Sequence, residues 1–366
     1  MGSLSSPPPP PPPVPPENQA SGFRICVSFC RRDETTGTTV SNWLDSYNPA
    51  DNTLGHVGAI PGLPRNHILK GFAMVCLGGF VYVIGGRLCL NVLDGEGSVE
   101  RDVAVRSDVL RCNVATGEWA PCSPLALQRF DFACTPCNGR IYVAGGQFTV
   151  SGARGTSAAE VYDPERDQWA PLPGMSALRY KCVGMAWEGR FHVVGGFAER
   201  EGCSRTVPSV VERSSAEVFD EERGEWDLVP GMWQLDVPPN QIVAVDGRLY
   251  SSGDCLNNWK GHIETYDGKL NIWSVIERSQ LHDMSSLVAG PRERSLERLY
   301  LTMAPVGGHL YFLVGYREAG DELRSMTVAH AFDTEPGAAE AWASFEPLMA
   351  DGNKELCSHC CVVQLS

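Results

Sequence analysis

The chain lacks the marks of a secreted or membrane-inserted protein. Residues 1–20 carry no basic segment leading into an apolar one, as a secretory leader would. No Asn-x-Ser/Thr acceptor occurs anywhere in the 366 residues. The fourteen Cys are therefore expected to be reduced, mostly buried thiols of a cytoplasmic and/or nuclear protein, not a disulfide framework. No apolar run is long enough to span a bilayer. Residues 71–86 are free of charge, but they fall short of the ~20 residues a spanning helix needs, and Gly78-Gly79 interrupts them. A hairpin of two buried strands is the expectation there, with no membrane partner. Positive charge is also short: 30 Lys and Arg stand against 44 Asp and Glu, a formal net charge of −14. Such a surface repels phosphate backbones, which argues against nucleic acid as a partner. Gly-x-Ser-x-Gly, His-Glu-x-x-His and phosphate-loop signatures are missing too.

What the chain does have is a repeat. An aromatic or small residue is followed by Asp or Asn, and then by a large apolar residue. The copies are Tyr47-Asn48 with Leu54, Cys112-Asn113 with Trp119, Tyr162-Asp163 with Trp169, Phe219-Asp220 with Trp226, Tyr266-Asp267 with Trp273, and Phe332-Asp333 with Trp342. A period of about 50 residues implies a solenoid, propeller or array. A second marker agrees: a turn Gly opens an apolar strand that ends in a Gly pair, at Gly85-Gly86, Gly145-Gly146 and Gly195-Gly196. Glycine pairs at strand ends suggest close approach of backbones. Degraded copies end at Gly253 and Gly315.

Each repeat reads as four strands, and six blades are expected. Blades two to six run roughly over 69–125, 129–175, 179–232, 237–279 and 298–349. Blade one has three strands, at 23–30, 40–47 and 53–60, and lacks its innermost one. The strand-like C-terminus, 356–365, is expected to supply it and close the ring, removing an exposed sheet edge. Residues 1–20, with Pro7 to Pro13 continuous, form a Pro-rich tail expected to be disordered; the propeller occupies 21–366.

The Gly pair, the Tyr-Asp and the Trp at this spacing resemble the kelch motif over about residues 23–365. The resemblance implies an all-β, six-bladed kelch β-propeller in which these marker residues are structural. Blades three to five most resemble plant kelch proteins of the F-box/kelch type. An F-box would be a helical module ahead of the propeller, whereas some twenty Pro-rich residues stand here, so direct docking to a Skp1-type adaptor is not expected.

Topology then selects a face. In an antiparallel four-stranded blade, the connections from strand two to three and from strand four to the next blade emerge on one side. The long connections, 87–107, 147–158, 197–215, 254–261 and 280–297, are of these kinds, and long loops on a rigid scaffold commonly carry binding. Arg129 and Arg179 stand ten residues before their turn Gly, at the start of the innermost strand. In kelch proteins, arginines near this position line the channel mouth and receive acidic peptides. The resemblance thus implies partner-binding roles for Arg129, Arg179 and Lys181, with Arg65 in the corresponding connection of blade two. A second possibility is that the two arginines bond loop carbonyls or nearby acids. Phe148, Phe197, Trp259 and Tyr316 follow the ends of second strands and are candidate aromatic anchors.

No catalytic residue, metal site or cofactor is expected. Cys134-Thr-Pro-Cys137 and the Cys357-to-Cys361 cluster fall on different innermost strands, where alternation separates the thiols. The function expected is non-catalytic binding of a protein partner through the loop face, for substrate recognition or scaffolding linked to ubiquitin-dependent turnover. The alternative is a kelch-type enzyme or small-molecule binder using the channel mouth, galactose-oxidase-like or specifier-protein-like. No His follows an Asp by four and a Glu by eight residues, so the iron triad of the specifier proteins is missing.

Overall fold

A computed structural model describes residues 22–365 except 32–40, 95–96, 153, 200–209, 256–261, 280–295, 319–323, 336, 338–340 and 353. The Pro-rich tail and Trp259 lie outside the described residues. Strands dominate, in antiparallel sheets that follow the repeat.

Blade three shows the plan. Its strands, from the channel outward, are Ala133–Cys137, Arg140–Ala144, Ala159–Asp163 and Gln168–Leu172. Blade two (Ala73–Leu77, Phe80–Ile84, Val109–Asn113, Glu118–Cys122) repeats it, as does blade four (Val183–Trp187, Arg190–Val194, Ala216–Asp220, Glu225–Val229). Blade five follows with Ile242–Val245, Arg248–Ser251, Glu264–Asp267 and Ile272–Val275. In blade six the first three strands lengthen to Leu296–Val306, His309–Glu318 and Arg324–Asp333, and Trp342–Ser344 and Leu348–Asp351 share its outer edge.

Blade one is composite. Phe23–Arg31, Asn42–Asn48 and Thr53–Ala59 are completed on the inside by Lys354–Gln364. That last strand also lies against the innermost strands of blades two and six, and each other innermost strand touches the next, so the ring closes. Residues 71–86 form the expected hairpin. Among the described residues no helix is long and apolar enough to cross a membrane.

The repeat markers have a direct structural reading. In every blade the two marker residues are opposite partners on the third and fourth strands: Tyr47 with Leu54, Cys112 with Trp119, Tyr162 with Trp169, Phe219 with Trp226, Tyr266 with Trp273, Phe332 with Trp342. The extra residues before Trp342 therefore lengthen the turn without changing the pairing. Where both partners are aromatic, ring centroids stand 5.0–5.2 Å apart. The Trp also staples neighbouring blades, since its indole N–H donates to the preceding blade's exit segment: Trp169 to Ser123 O at 2.9 Å, Trp226 to Pro173 O at 2.8 Å, Trp273 to Met232 O at 2.6 Å.

The Asp or Asn between the markers caps the turn. Asp163 Oδ1 accepts the N–H groups of Glu165 and Arg166, and Asp220 and Asp267 repeat this two and three residues on. Five residues after the first marker, the backbone is left-handed in all six copies: Asn52, Gly117, Asp167, Gly224, Asn271 and Gly337. The residue type there follows the marker. After a Tyr it is Asn or Asp, whose Oδ1 accepts the phenol O–H: Tyr47 to Asn52 at 3.1 Å, Tyr162 to Asp167 at 2.7 Å, Tyr266 to Asn271 at 2.7 Å. After Cys112, Phe219 or Phe332, which have no such donor, it is Gly. Tyr162→Phe should thus cost about 1 kcal/mol. Asp167 Oδ1 also accepts the Ser123 N–H at 2.8 Å, so adding Asp167→Gly, the pair blade four uses, should cost something further in urea denaturation, but less than Asp167→Gly costs with Tyr162 in place. A double variant losing the sum of two large single effects would contradict this pairing.

Candidate partner-binding face at the channel mouth

The two kinds of connection expected on one face are hydrogen-bonded to each other there. His67–Lys70 pairs with Arg87–Asp94 above blade two, and Leu178–Tyr180 pairs with Phe197–Glu199 above blade four. Single bridges, Phe130 with Gln147 and Pro239 with Asp254, do the same in blades three and five. The 87–107 connection is more than a loop: Arg87–Asp94 turns back as Gly97–Val105, making a three-stranded sheet with His67–Lys70.

Arg129 and Arg179 hold this layer in place, and their expected partner-binding role does not fit their positions. Both are 0% exposed. Arg179 Nε donates to Glu217 at 3.0 Å, and its other nitrogens reach Gly195 O, Glu212 O and the Ser215 hydroxyl. Arg129 Nη2 meets Glu160 at 2.5 Å, while Nη1 donates to Gly145 O and Ala158 O. Burial pushes the Arg129 pKa down and the Glu160 charge pulls it back up. The two acids also accept backbone N–H groups, from Ala126 and Leu127 at Glu160 and from Ser176 and Ala177 at Glu217. Each arginine carbonyl accepts the N–H of the second Gly of the preceding blade's pair, Gly86 for Arg129 and Gly146 for Arg179. That is where the Gly pair is needed. At Gly146 (φ 92°) a Cβ would stand 2.7 Å from Phe132 Cβ.

Two residues beyond each arginine, and beyond Leu69 at the matching position of blade two, the chain turns left-handed again, and these positions ring the mouth. They are Gly71, Asp131 and Lys181, with φ of 63°, 53° and 53°. Lys181 N–H donates to Asp131 O, and Asp131 N–H donates to Gly71 O, linking blades four, three and two. Lys181 and Arg65 are exposed, as their expected role requires. Asp131 is pinned by Arg87 at 3.4 Å, and Arg87 also contacts Asp102 and lies 4.8 Å from the Phe130 ring centroid. Burial pushes the Asp131 carboxyl up, against the opposing pull of Arg87 and Lys181.

A cleft of about 340 Å³ opens between these positions and the closing strand, with Lys181, Asp131, Asn240, Cys255, Ser358 and His359 in its wall. Below it lies a channel cavity of about 410 Å³ walled by the innermost strands. His359 Nδ1 is buried without a hydrogen-bond partner, and burial lowers the imidazole pKa to about 4.

The aromatic candidates divide. Phe148 is 37% exposed, next to Val150 at 43%. Phe197 is half-buried, 5.1 Å from Tyr180, with the Arg213 guanidinium 5.5 Å from its ring. Tyr316 is 5% exposed inside the second strand of blade six, opposite Met326, so it is core and not an anchor. Blade six lacks the Gly pair, and its strand runs on through that point. Asp131, Asn240 and Cys255 carried no individual motif, and His359 was noted only inside the Cys357-to-Cys361 cluster. The position shared by Gly71, Asp131 and Lys181 was the available signal for the first of them. Among the described residues no group of three or more His, Cys, Asp or Glu is placed to hold a metal ion.

Comparison with known proteins agrees with the repeat. A kelch motif model matches residues 128–176, which is blade three with its lead-in. An F-box/kelch-repeat protein of Arabidopsis thaliana is 30% identical over 69% of this chain and 62% of its own length. A second from the same plant is 33% identical over 55% and 50%. The Kelch repeat and BTB domain-containing protein 12 of Danio rerio is 28% identical over 62% of this chain and 37% of its own. The chain thus spans between about a third and two thirds of the relatives it matches. With the marker pairs in register in all six blades and the motif match on blade three, this chain belongs to the kelch-repeat family.

Proposed function

We propose that this chain is a non-catalytic interaction module that captures a protein partner at the channel mouth. The observation that carries the reading is the exposed Lys181 in the cleft at the channel mouth, whose wall also holds Asn240, Ser358 and His359. A cation among hydrogen-bonding side chains on a rigid ring suits a carboxylate-bearing loop or chain end of a partner. Arg65 is a second exposed cation, in the connection that enters blade two, and Phe148 with Val150 supplies apolar surface on the same face. The relatives' names join kelch repeats to an F-box or a BTB domain, which supports recognition or scaffolding linked to ubiquitin-dependent turnover. A cytoplasmic or nuclear setting accords with the reduced thiols.

The test is affinity capture followed by retesting of the recovered partner. Lys181→Glu is expected to weaken binding at least about tenfold, the scale of one lost charge-assisted contact, with an unchanged melting temperature. Arg65→Glu should give a smaller loss that grows at low salt. Equal binding by Lys181→Glu and wild type would sink the assignment.

A further inference from the structure

The seam that closes the ring carries a pair of thiols face to face. Cys26, on the second strand of blade one, and Cys361, on the C-terminal strand, are opposite partners in the antiparallel register. Directly opposite residues have Cα atoms ~4.5 or ~5.5 Å apart, depending on the kind of site. Both values fall in the 4.4–6.8 Å window that a disulfide spans. Their side chains emerge on the same face, into one core cluster.

Several other thiols are committed elsewhere. Cys360 donates to Met303 O, Cys89 to Asp102 and Cys137 to Gly189 O. Cys76, on the innermost strand of blade two, packs in the same cluster and is a competitor. It belongs to a different sheet. A metal is not the better reading of this cluster, because among the described residues no group of three ligands is placed for one.

We propose that Cys26 and Cys361 form a reversible disulfide that clasps the ring shut across its closing seam. The site is unmodified here, with both thiols free. Cys361 is half-buried and lines the channel cavity, so a small oxidant reaches it from the channel. The oxidant is a hydroperoxide. Cys361 Sγ, as the thiolate, attacks a peroxide oxygen; the O–O bond breaks, giving a sulfenic acid and, for hydrogen peroxide, water once the thiol proton is counted. Cys26 Sγ then attacks the sulfenic sulfur, its proton leaves with the hydroxyl as a second water, and the S–S bond forms. Two thiols are oxidised and one peroxide is reduced. Buried thiols react slowly because little thiolate is present, so the reaction is expected over hours and not seconds. The bond links the start of the propeller to its end and encloses almost the whole described chain, the arrangement in which a cross-link most restricts the unfolded state. This device is independent of the partner-binding reading.

The experiment uses the full chain, reduced and then exposed to hydrogen peroxide. After alkylation and non-reducing digestion, mass spectrometry should find the peptide containing Cys26 joined to that containing Cys361. The melting temperature should rise by ~5 °C or more and return with dithiothreitol. In Cys26→Ala the shift should vanish, and Cys361→Ala serves if that variant folds poorly. Recovery of both cysteines as free thiols while others oxidise would overturn the proposal, as would linkage of either to Cys76, or a shift that survives in Cys26→Ala.

Discussion

Arg179→Ala is expected to lower stability by about 3–5 kcal/mol, the scale for removing one partner of a buried ion pair. The loss has two sources. Glu217, itself 0% exposed, would keep a buried charge with only backbone donors around it. The carbonyls of Gly195 and Glu212 would lose donors. The chain contains its own control. At the positions in blade two that match Arg179 and Glu217 stand Leu69 and Leu110, packed in the blade's apolar cluster. Arg and Glu occur together in blades three and four and are replaced together in blade two. The double variant Arg179→Leu/Glu217→Leu should therefore lose less than the sum of the single substitutions in urea denaturation. Additive losses would show that the pair is not coupled.

A second large effect is expected on acidification. Burial lowers the pKa values of His192, His330 and His359 to about 4 each. His192 and His330 are 2% and 0% exposed, and His330 Nε2 has no hydrogen-bond partner. In the unfolded chain an imidazole titrates near 6.5. Between those values the unfolded state binds more protons than the folded one, so stability rises with pH across the window and falls as pH drops through it. A shift of that size is worth up to ~3 kcal/mol per imidazole. Three together approach the whole stability of a typical domain. Unfolding free energy should decline steadily from pH 6.5 to pH 4, and His330→Gln should flatten the decline. The turn carboxylates Asp163, Asp167 and Asp220 are held low by N–H, hydroxyl and arginine donors. Their contribution is lost only as pH falls below 3.8, so they do not mimic the imidazole window. Equal stability at pH 7 and pH 4.5 would contradict the burial of these rings.

Much of the scaffold was legible in the sequence because each blade repeats one local problem. Tyr162 and Trp169 face each other across a two-strand register that their spacing already fixes, and Asp163 and Asp167 mark the turn between them. The broken blade was legible too, since Leu356 to Leu365 had strand character and no repeat of its own. Exposure was not legible. Arg129 and Arg179 stand at the start of innermost strands as expected, but whether such a side chain points outward or folds under the loop depends on Glu160 and Glu217, more than thirty residues away in sequence. The acid in Ala-Glu-Val-Tyr and Ala-Glu-Val-Phe was the clue, because it occurs in the two blades that carry the arginine. Tyr316 was misplaced for a simpler reason: without a Gly pair the strand of blade six does not stop. The channel mouth combines residues from five blades, and no single repeat encodes it.

The composite first blade also sets a timetable. Cys30 and Glu355, neighbours in that sheet, are 325 residues apart in the chain. At a synthesis rate of about 5–20 residues per second, the N-terminal strands wait roughly 15–65 s for their inner partner. Through that interval Phe23–Arg31 presents an unpaired edge, the kind of surface that joins neighbouring nascent chains or recruits chaperones. Errors in making this protein should therefore cluster late in translation, and a ribosome stalled in blade six would hold four complete blades, a three-stranded first blade and an open circle.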